Sequence, residues 1–360
     1  MVCPLLGLSD ELQLMIVELV VAQDHGREDL VSLSSTCSTY RLLLAPIIFD
    51  RVTLLNDAES AASAIALANS HHGQYVKQLR FEGSLNRDGY RRVIEQHTEG
   101  LDINKLRTIV QEAREKLFPE SVYRVLSDLQ HWFSKLDILT IRIEEQNAAW
   151  YESSPLPVGV RDLFDHPDLF KATIKRRKIH NWGQLQAKTY EALCENQNHN
   201  IKTLQILDLS RECDALDDPK FHKFLERIRT VGISHVLACR KRHGSAHYFE
   251  TTRYLSRRFI DHLPSVQHLK LKGPVYGAWS YEGLPYDWTK EATLPLKVTQ
   301  MPQLKSINLS RTLVSQEMIS FFVSHQDTLE HITLQNCYAY TPTQRTVSGR
   351  ILGEGCSRLS

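Results

Sequence analysis

The sequence predicts an α/β fold in which a short N-terminal helical domain precedes an irregular solenoid of parallel strands joined by helical crossovers. Two observations lead to it. The first fifty residues carry apolar side chains at helical spacing, and the remaining chain repeats one apolar strand template with helical stripes between the copies. Strands that alternate with helices are typical of parallel sheets, because a parallel connection needs a crossover. We therefore expect two domains, 1–54 and 55–360.

The composition excludes several classes of function. The 360 residues include 43 Lys and Arg against 42 Asp and Glu, a formal net charge of +1. A neutral chain has no global field to attract nucleic acid or an anionic membrane, so we expect neither partner. The seven cysteines contain no Cys-x-x-Cys pair, which argues against a disulfide framework and suits a reducing compartment. With no predicted signal peptide or membrane span, we expect a cytoplasmic or nuclear protein.

Two apolar stripes organise the first domain. The first recurs at helical steps and comprises Leu8, Leu12, Ile16 and Leu19, with Met15 and Val20 beside them. Ser9 is placed to cap this helix. The second stripe comprises Leu30, Leu33, Cys37, Tyr40 and Leu44, and we expect it to end at Pro46. A unit this short rarely buries enough surface alone, so either the rest of the chain or a partner protein covers its surplus apolar face.

These residues carry a resemblance to a known family. Leu8-Ser9-Asp10-Glu11-Leu12, Asp29-Leu30, Cys37, Tyr40 and Leu44-Ala45-Pro46 with Phe49 resemble the F-box motif, particularly its fungal form. Ser9 stands where the family has Pro, and the linker 23–28 is longer than usual. The resemblance implies three helices, a Skp-type adaptor protein as partner and, through the adaptor, a cullin. By the same resemblance the adaptor-binding residues are Leu8, Ser9, Leu12, Ile16, Leu30, Leu33 and Tyr40.

The strand template has the form apolar-x-x-apolar-x-apolar and occurs six times. Its copies begin at Val76, Leu136, Leu204, Val266, Leu304 and Leu329. Their starts lie 25 to 68 residues apart, and the last copy continues to Cys337. This pattern resembles leucine-rich repeats, which are known to follow an F-box in that family. The alternative is an ordinary α/β sheet with leucine-rich buried strands.

Helical stripes between these strands supply the crossovers. They cover residues 103–117, 122–133 after Pro119, 221–228 after Asp218-Pro219, and 318–323 with Ser315 as the cap. Each lies between two copies of the strand template. Helix and strand therefore alternate as parallel pairing requires.

Two aromatic segments directly follow predicted strands and would emerge at the same edge of a solenoid. Their aromatic residues are Trp150, Tyr151, Tyr276, Trp279, Tyr281, Tyr286 and Trp288. Tyr and Trp combine apolar area with a polar tip and are enriched where proteins bind partners, so these residues are candidates for substrate binding. The alternative is that they pack over the edge of the solenoid.

Motifs for catalysis are missing from the sequence. It contains no nucleophile turn, no phosphate-binding glycine loop after a strand and no dinucleotide fingerprint. Cys239, His243 and His247 are spaced four apart, but no fourth ligand is evident and Gly244-Ser245 disfavours a continuous helix. We therefore expect no catalytic residue, no metal and no cofactor.

The leading expectation is a non-enzymatic receptor. The resemblance implies the substrate-recognition subunit of a Skp-cullin-F-box ubiquitin ligase, in which the repeats hold a target protein near a ubiquitin-loaded conjugating enzyme. The alternative is an adaptor-independent scaffold whose helical domain only caps the solenoid. A hydrolase or transferase on an α/β sheet is a third class, and the empty motif search argues against it.

Overall fold

The computed structural model describes residues 7–22, 27–84, 118–144, 181–207, 209, 213–234, 255–273, 294, 296–339 and 357–359. Within these ranges the chain forms an N-terminal group of three helices followed by a parallel sheet with helices between its strands. An α/β fold with parallel strands and helical crossovers is confirmed. None of the described helices is long and apolar enough to cross a membrane.

The N-terminal unit consists of α1 Asp10–Ala22, α2 Arg27–Thr36 and α3 Ser38–Ile48. The second predicted stripe is divided at Cys37, whose extended backbone separates α2 from α3. The expected end at Pro46 is wrong, because α3 includes this proline and continues to Ile48. A proline removes only its own N–H from the helix, and the Phe49 N–H still donates to the Ala45 carbonyl at 3.0 Å.

This unit has its own small core. Val17 of α1, Leu30 of α2, and Tyr40 and Leu44 of α3 are buried against one another. Among the described residues this cluster is separate from the large core of the sheet. The three helices are therefore held together mainly by their own side chains.

Eight parallel strands form the main sheet in the part of the chain that the structure describes. They are β1 Arg51–Leu55, β2 Gln78–Ser84, β3 Ile138–Glu144, β4 Thr203–Leu207, β5 Thr230–Ser234, β6 His268–Lys272, β7 Ser306–Ser310 and β9 His331–Gln335. Their order in the sheet is their order in the chain. A doubly wound sheet reverses its order at a switch point, whereas a solenoid adds each strand beside the last. The observed order therefore favours the solenoid.

Strand pairing aligns the apolar template across the sheet. One row of paired residues comprises Val52, Leu79, Leu139, Leu204, Val231, Leu269, Ile307 and Ile332. Five of the six predicted copies are in this register. The copy placed at Leu204 is wrong by three residues, because Leu204 pairs with Leu139 and is the second apolar position of a copy that begins at Ile201. Two strands, β1 and β5, were not predicted.

The helices between the strands are α4 Ala58–Ala68, α5 Glu120–Ser127, α6 Leu129–Trp132, α7 Asn181–Cys194, α8 Pro219–Leu225 and α9 Gln316–Ser324. The predicted stripe 122–133 is two helices, because the chain breaks at Asp128, whose side chain accepts a hydrogen bond from the His131 N–H. The starts of α8 at Pro219 and of α9 after Ser315 are confirmed. The predicted stripe 103–117 lies outside the described residues, and α7 was not predicted.

The helices pack in chain order against the buried face of the sheet. Helix α4 contacts α5, α5 contacts α7, and α7 contacts α8. Their apolar side chains join those of the strands in one core, which includes Leu79, Phe81, Leu126, Leu193 and Phe221. A second sheet has three strands, which are β8 Leu313–Val314, β10 Cys337–Ala339 and β11 Ser357–Leu359. Strand β10 pairs with both β8 and β11. All three strands come from the last fifty residues of the sequence.

Candidate interaction surfaces

The helical unit exposes an unusual amount of apolar surface. Thirteen large apolar side chains are exposed in the described part of the chain, and eight of them belong to α1, α2 and α3. These eight are Leu12, Leu14, Met15, Leu19, Val21, Val31, Leu42 and Leu43. Such concentrations on one small unit are typical of surfaces that another protein covers.

Helix α1 is apolar on nearly all sides, which explains why it can fill a core and still expose leucines. Val17 faces the core, while Leu12, Met15 and Leu19 recur at steps of three and four and are 46%, 54% and 61% exposed. Side chains at this spacing share one face of a helix. We call Leu12, Met15 and Leu19 the α1 stripe.

The predicted adaptor-binding residues at the start of α1 lie on or beside this stripe. Leu12 and Ser9 are exposed, and Leu8 and Ile16 are half-buried. The backbone N–H of Glu11 and the Ser9 hydroxyl hold the pKa of the Glu11 carboxyl below its ordinary value. A carboxylate in the first turn suits the positive end of the helix dipole, so this end of α1 is stabilised as a helix start.

The other predicted adaptor-binding residues are directed inward. Leu30 and Tyr40 are buried in the core of the helical unit, and Leu33 packs partly against it. Leu30 and Tyr40 hold α2 and α3 against α1, and the adaptor-binding role of these three residues stays a prediction. The sequence spacing alone could not separate the two roles, because both faces of the unit carry leucines.

A polar face covers the side of the main sheet opposite the core. Side chains alternate along each strand, so residues next to the buried Leu79 and Phe81 point away from the helices. In the part of the sheet from β4 to β9, three rows of this face comprise Thr203, Gln205, Leu207, Thr230, Gly232, Ser234, His268, Lys270, Lys272, Ser306, Asn308, Ser310, His331, Thr333 and Gln335, of which only Leu207 is a large apolar residue. The sequence pattern does not indicate this surface, because the strand template is defined by its apolar positions.

The seven aromatic residues predicted to bind a substrate lie outside the described residues. The same holds for Cys239, His243 and His247. Within the ranges that the structure describes, no group of His, Cys, Asp and Glu side chains could hold a metal ion.

Two perturbed titratable groups in the described residues, Cys194 and Tyr190, are explained by burial in the core. Burial raises the pKa of the Cys194 thiol to about 12, and it also raises the pKa of Tyr190. A thiol that stays protonated is a poor nucleophile. Both side chains belong to the core between the sheet and its helices, so their pKa values report packing and give no support to catalysis at these positions.

Comparisons with protein-family models, with curated proteins and with solved structures found no match to the chain. What the chain does must therefore be inferred from its own surfaces.

Proposed function

We propose that the chain is the substrate-recognition subunit of a Skp-cullin-F-box type ubiquitin ligase. One observation carries the proposal: the α1 stripe is exposed on a helical unit whose own core is already filled by Val17, Leu30, Tyr40 and Leu44. Because the unit needs no further apolar side chains for its core, the stripe is available for another protein. The F-box resemblance of the same residues identifies that protein as a Skp-type adaptor.

The size of the exposed surface supports a protein partner. Burying an exposed leucine side chain stabilises a complex by roughly 1.5–3 kcal/mol before the costs of association. The α1 stripe supplies three large apolar side chains, and Leu42 and Leu43 of α3 add two more on the same unit. Apolar residues at helical spacing are the usual anchors when a helix packs against a partner.

The sequential sheet supports the second half of the proposal. A leucine-rich-repeat-like solenoid offers one long continuous face, which suits the binding of a target protein. By holding that target close to a ubiquitin-loaded enzyme, the chain would raise the rate through proximity and would need no catalytic residue of its own. None of the four described cysteines, Cys37, Cys194, Cys213 and Cys337, forms a disulfide bond, in keeping with a proposed location in the cytoplasm or nucleus.

Calorimetric titration of the full chain with a purified Skp-type adaptor tests the proposal. Leu12→Asp places a carboxylate on the exposed α1 stripe and should weaken binding at least about tenfold, because the charge must lose its water in the interface. Val323→Asp is the matched control, since Val323 is 61% exposed on α9, far along the chain from the helical unit. Leu33 is unsuitable for this test because it packs partly against the core of the unit.

The second candidate function is an adaptor-independent scaffold, and one observation favours it. Helix α3 ends at Ile48 and β1 begins at Arg51, while the Phe49 ring stacks on His72 at a centroid distance of 4.3 Å. The helical unit is therefore continuous with the first strand, as a capping element would be. If the adaptor binds neither the wild-type chain nor Leu12→Asp, and both are folded by circular dichroism, the scaffold replaces the receptor.

A further inference from the structure

The polar face between β4 and β9 carries positive charge without any carboxylate. Its fifteen described positions in three rows hold two lysines and two histidines, and none is Asp or Glu. The chain as a whole is almost neutral, with 43 basic and 42 acidic residues. The absence of acidic residues from this part of the sheet is thus a local feature of these strands.

Strand β6 carries the basic residues at the centre of this face. Lys270 and Lys272 are exposed and alternate on the same side, and neither forms an ion pair with any residue that the structure describes. His268 lies on the same side of β6, with its Nδ1 within 2.8 Å of the Ser306 hydroxyl. An ammonium group without a carboxylate partner is free to bind an anionic group from outside.

The strands on either side of β6 carry small polar side chains. In register with His268, Lys270 and Lys272, the flanking residues are Thr230, Gly232 and Ser234 on β5, and Ser306, Asn308 and Ser310 on β7. Hydroxyl and amide groups can donate hydrogen bonds to carboxylate oxygens, and they carry no negative charge that would form an ion pair with the lysines. The two lysines therefore stand above a floor of short side chains.

Gly232 widens this floor beside Lys270. A Cβ atom built on Gly232 would touch only the Gln205 Cγ, at 3.7 Å, which is an ordinary contact. The position therefore has room for a side chain that the sequence does not supply. The space lies one strand from Lys270, and neighbouring strands are about 4.8 Å apart.

We propose that this face binds an extended, Asp- and Glu-rich segment of a target protein, with its carboxylates on Lys270 and Lys272. Charge complementarity identifies the partner's chemistry. Nucleic acid fits less well, because its binding relies on many phosphate contacts and on aromatic stacking, and the fifteen positions include two lysines and no Phe, Tyr or Trp. The inference rests on the proposed function, since it names the class of target that the repeats would hold.

Fluorescence anisotropy of the full chain with a fluorescein-labelled peptide of alternating Glu and Ser tests this inference. The matching Gln and Ser peptide is the neutral probe. Lys270→Gln with Lys272→Gln should weaken binding of the Glu peptide roughly tenfold and reduce its salt dependence. Lys135→Gln with Lys223→Gln removes the same charge from two exposed lysines outside the polar face and should leave binding unchanged.

A second substitution tests the geometry without removing a lysine. Gly232→Glu places a carboxylate beside Lys270 and should weaken binding of the Glu peptide about as much as the double lysine variant does. Gly232→Gln introduces a side chain of the same size without the charge and should leave binding unchanged. Equal affinity of the wild type and the double lysine variant, equal affinity for the two peptides, tighter binding of a single-stranded oligonucleotide, or no binding of the Glu peptide would each overturn the inference.

Failure of this inference and failure of the proposed function have different signatures. The anisotropy experiment contains no adaptor, and its variants lie on β5 and β6. The adaptor titration contains no peptide, and its variant lies on α1. Loss of one result therefore leaves the other measurement intact.

Discussion

Asn196 shows how one side chain can join two repeats. Its amide donates to the Leu126 carbonyl at 2.6 Å and accepts from the Leu129 N–H at 2.8 Å, and all three residues are buried. Asn196 lies two positions beyond the end of α7, and it links that segment to the end of α5 and the start of α6. Asn196 thus provides hydrogen-bond partners for two backbone groups at the break between α5 and α6, where regular helical hydrogen bonds are interrupted.

We expect Asn196→Ala to lower the free energy of unfolding by about 3 kcal/mol, because it leaves a buried N–H and a buried carbonyl without partners. Asn200→Ala, an exposed change a few residues away, should be nearly neutral. Urea unfolding followed by circular dichroism measures both. A loss below about 1 kcal/mol for Asn196→Ala would mean that water replaces the amide. The two hydrogen bonds of Asn196 would then contribute little to stability.

His199 couples the same region to pH. Its Nδ1 accepts from the Ile201 N–H at 3.1 Å and its Nε2 lies 2.9 Å from the Phe224 carbonyl, an arrangement that suits the neutral ring. Burial lowers the pKa of His199 below its ordinary value, and Arg227 adds to this effect. Below about pH 6.5 the unfolded chain therefore takes up a proton that the folded chain resists, and stability falls as the pH falls.

Urea unfolding at about pH 7.5 and about pH 5.5 tests this coupling. The wild type should lose stability on acidification, and His199→Gln should lose less because the buried ring is gone. His131→Gln, at an exposed position, should behave as the wild type. An unchanged pH dependence in His199→Gln would show that His199 is not the group responsible.

Asp57 is the N-terminal cap of helix α4. Its side chain accepts from the Ser60 N–H at 2.7 Å and begins α4, the first helix to pack on the sheet. Asp57→Ala should destabilise the protein by about 1 kcal/mol, whereas Asp57→Asn keeps the acceptor and should cost less. Equal losses for the two variants in urea unfolding would assign the effect to charge instead of capping.

At the scale of helices and strands, the sequence predicted which elements exist better than it predicted their boundaries. Ser315 and Asp218-Pro219 located the starts of α9 and α8, because caps act through the nearest backbone groups. The register of β4 could not be predicted in the same way. Two alternative sets of residues fit the apolar template here, namely 201, 204 and 206, or 204, 207 and 209. Only the pairing with β3 decides between these two registers.

Strands β1 and β5 were missed although both fit the template. The sequence pattern assigns Phe49, Val52 and Leu54 to the end of the helical domain. It assigns Ile228 to the end of the helical stripe 221–228. Their role depends on Leu79 and Leu269 in the neighbouring strands, which lie far away in sequence. The α1 stripe was predictable from spacing, but the inward placement of Leu30 and Tyr40 required three packed helices.

Across the whole molecule the repeats are joined by one recurring backbone contact. The carbonyl just before a strand accepts from two successive N–H groups of the next strand's start, as in Asp50 with Lys77 and Gln78, both at 2.9 Å. The same pattern recurs at Lys77, Asp137, Lys202, Arg229, Gln267 and Lys305. Each repeat is thus fixed mainly to its neighbours, which explains how irregular crossovers are tolerated between regular strands.

We propose that the whole molecule delivers a target protein by binding a Skp-type adaptor through its helical unit. The most direct measurement is co-expression of the full chain with such an adaptor, followed by size-exclusion chromatography with light scattering. We predict a stoichiometric complex that is lost with Leu12→Asp and retained with Val323→Asp. A folded chain that elutes alone and monomeric beside free adaptor would contradict the claim.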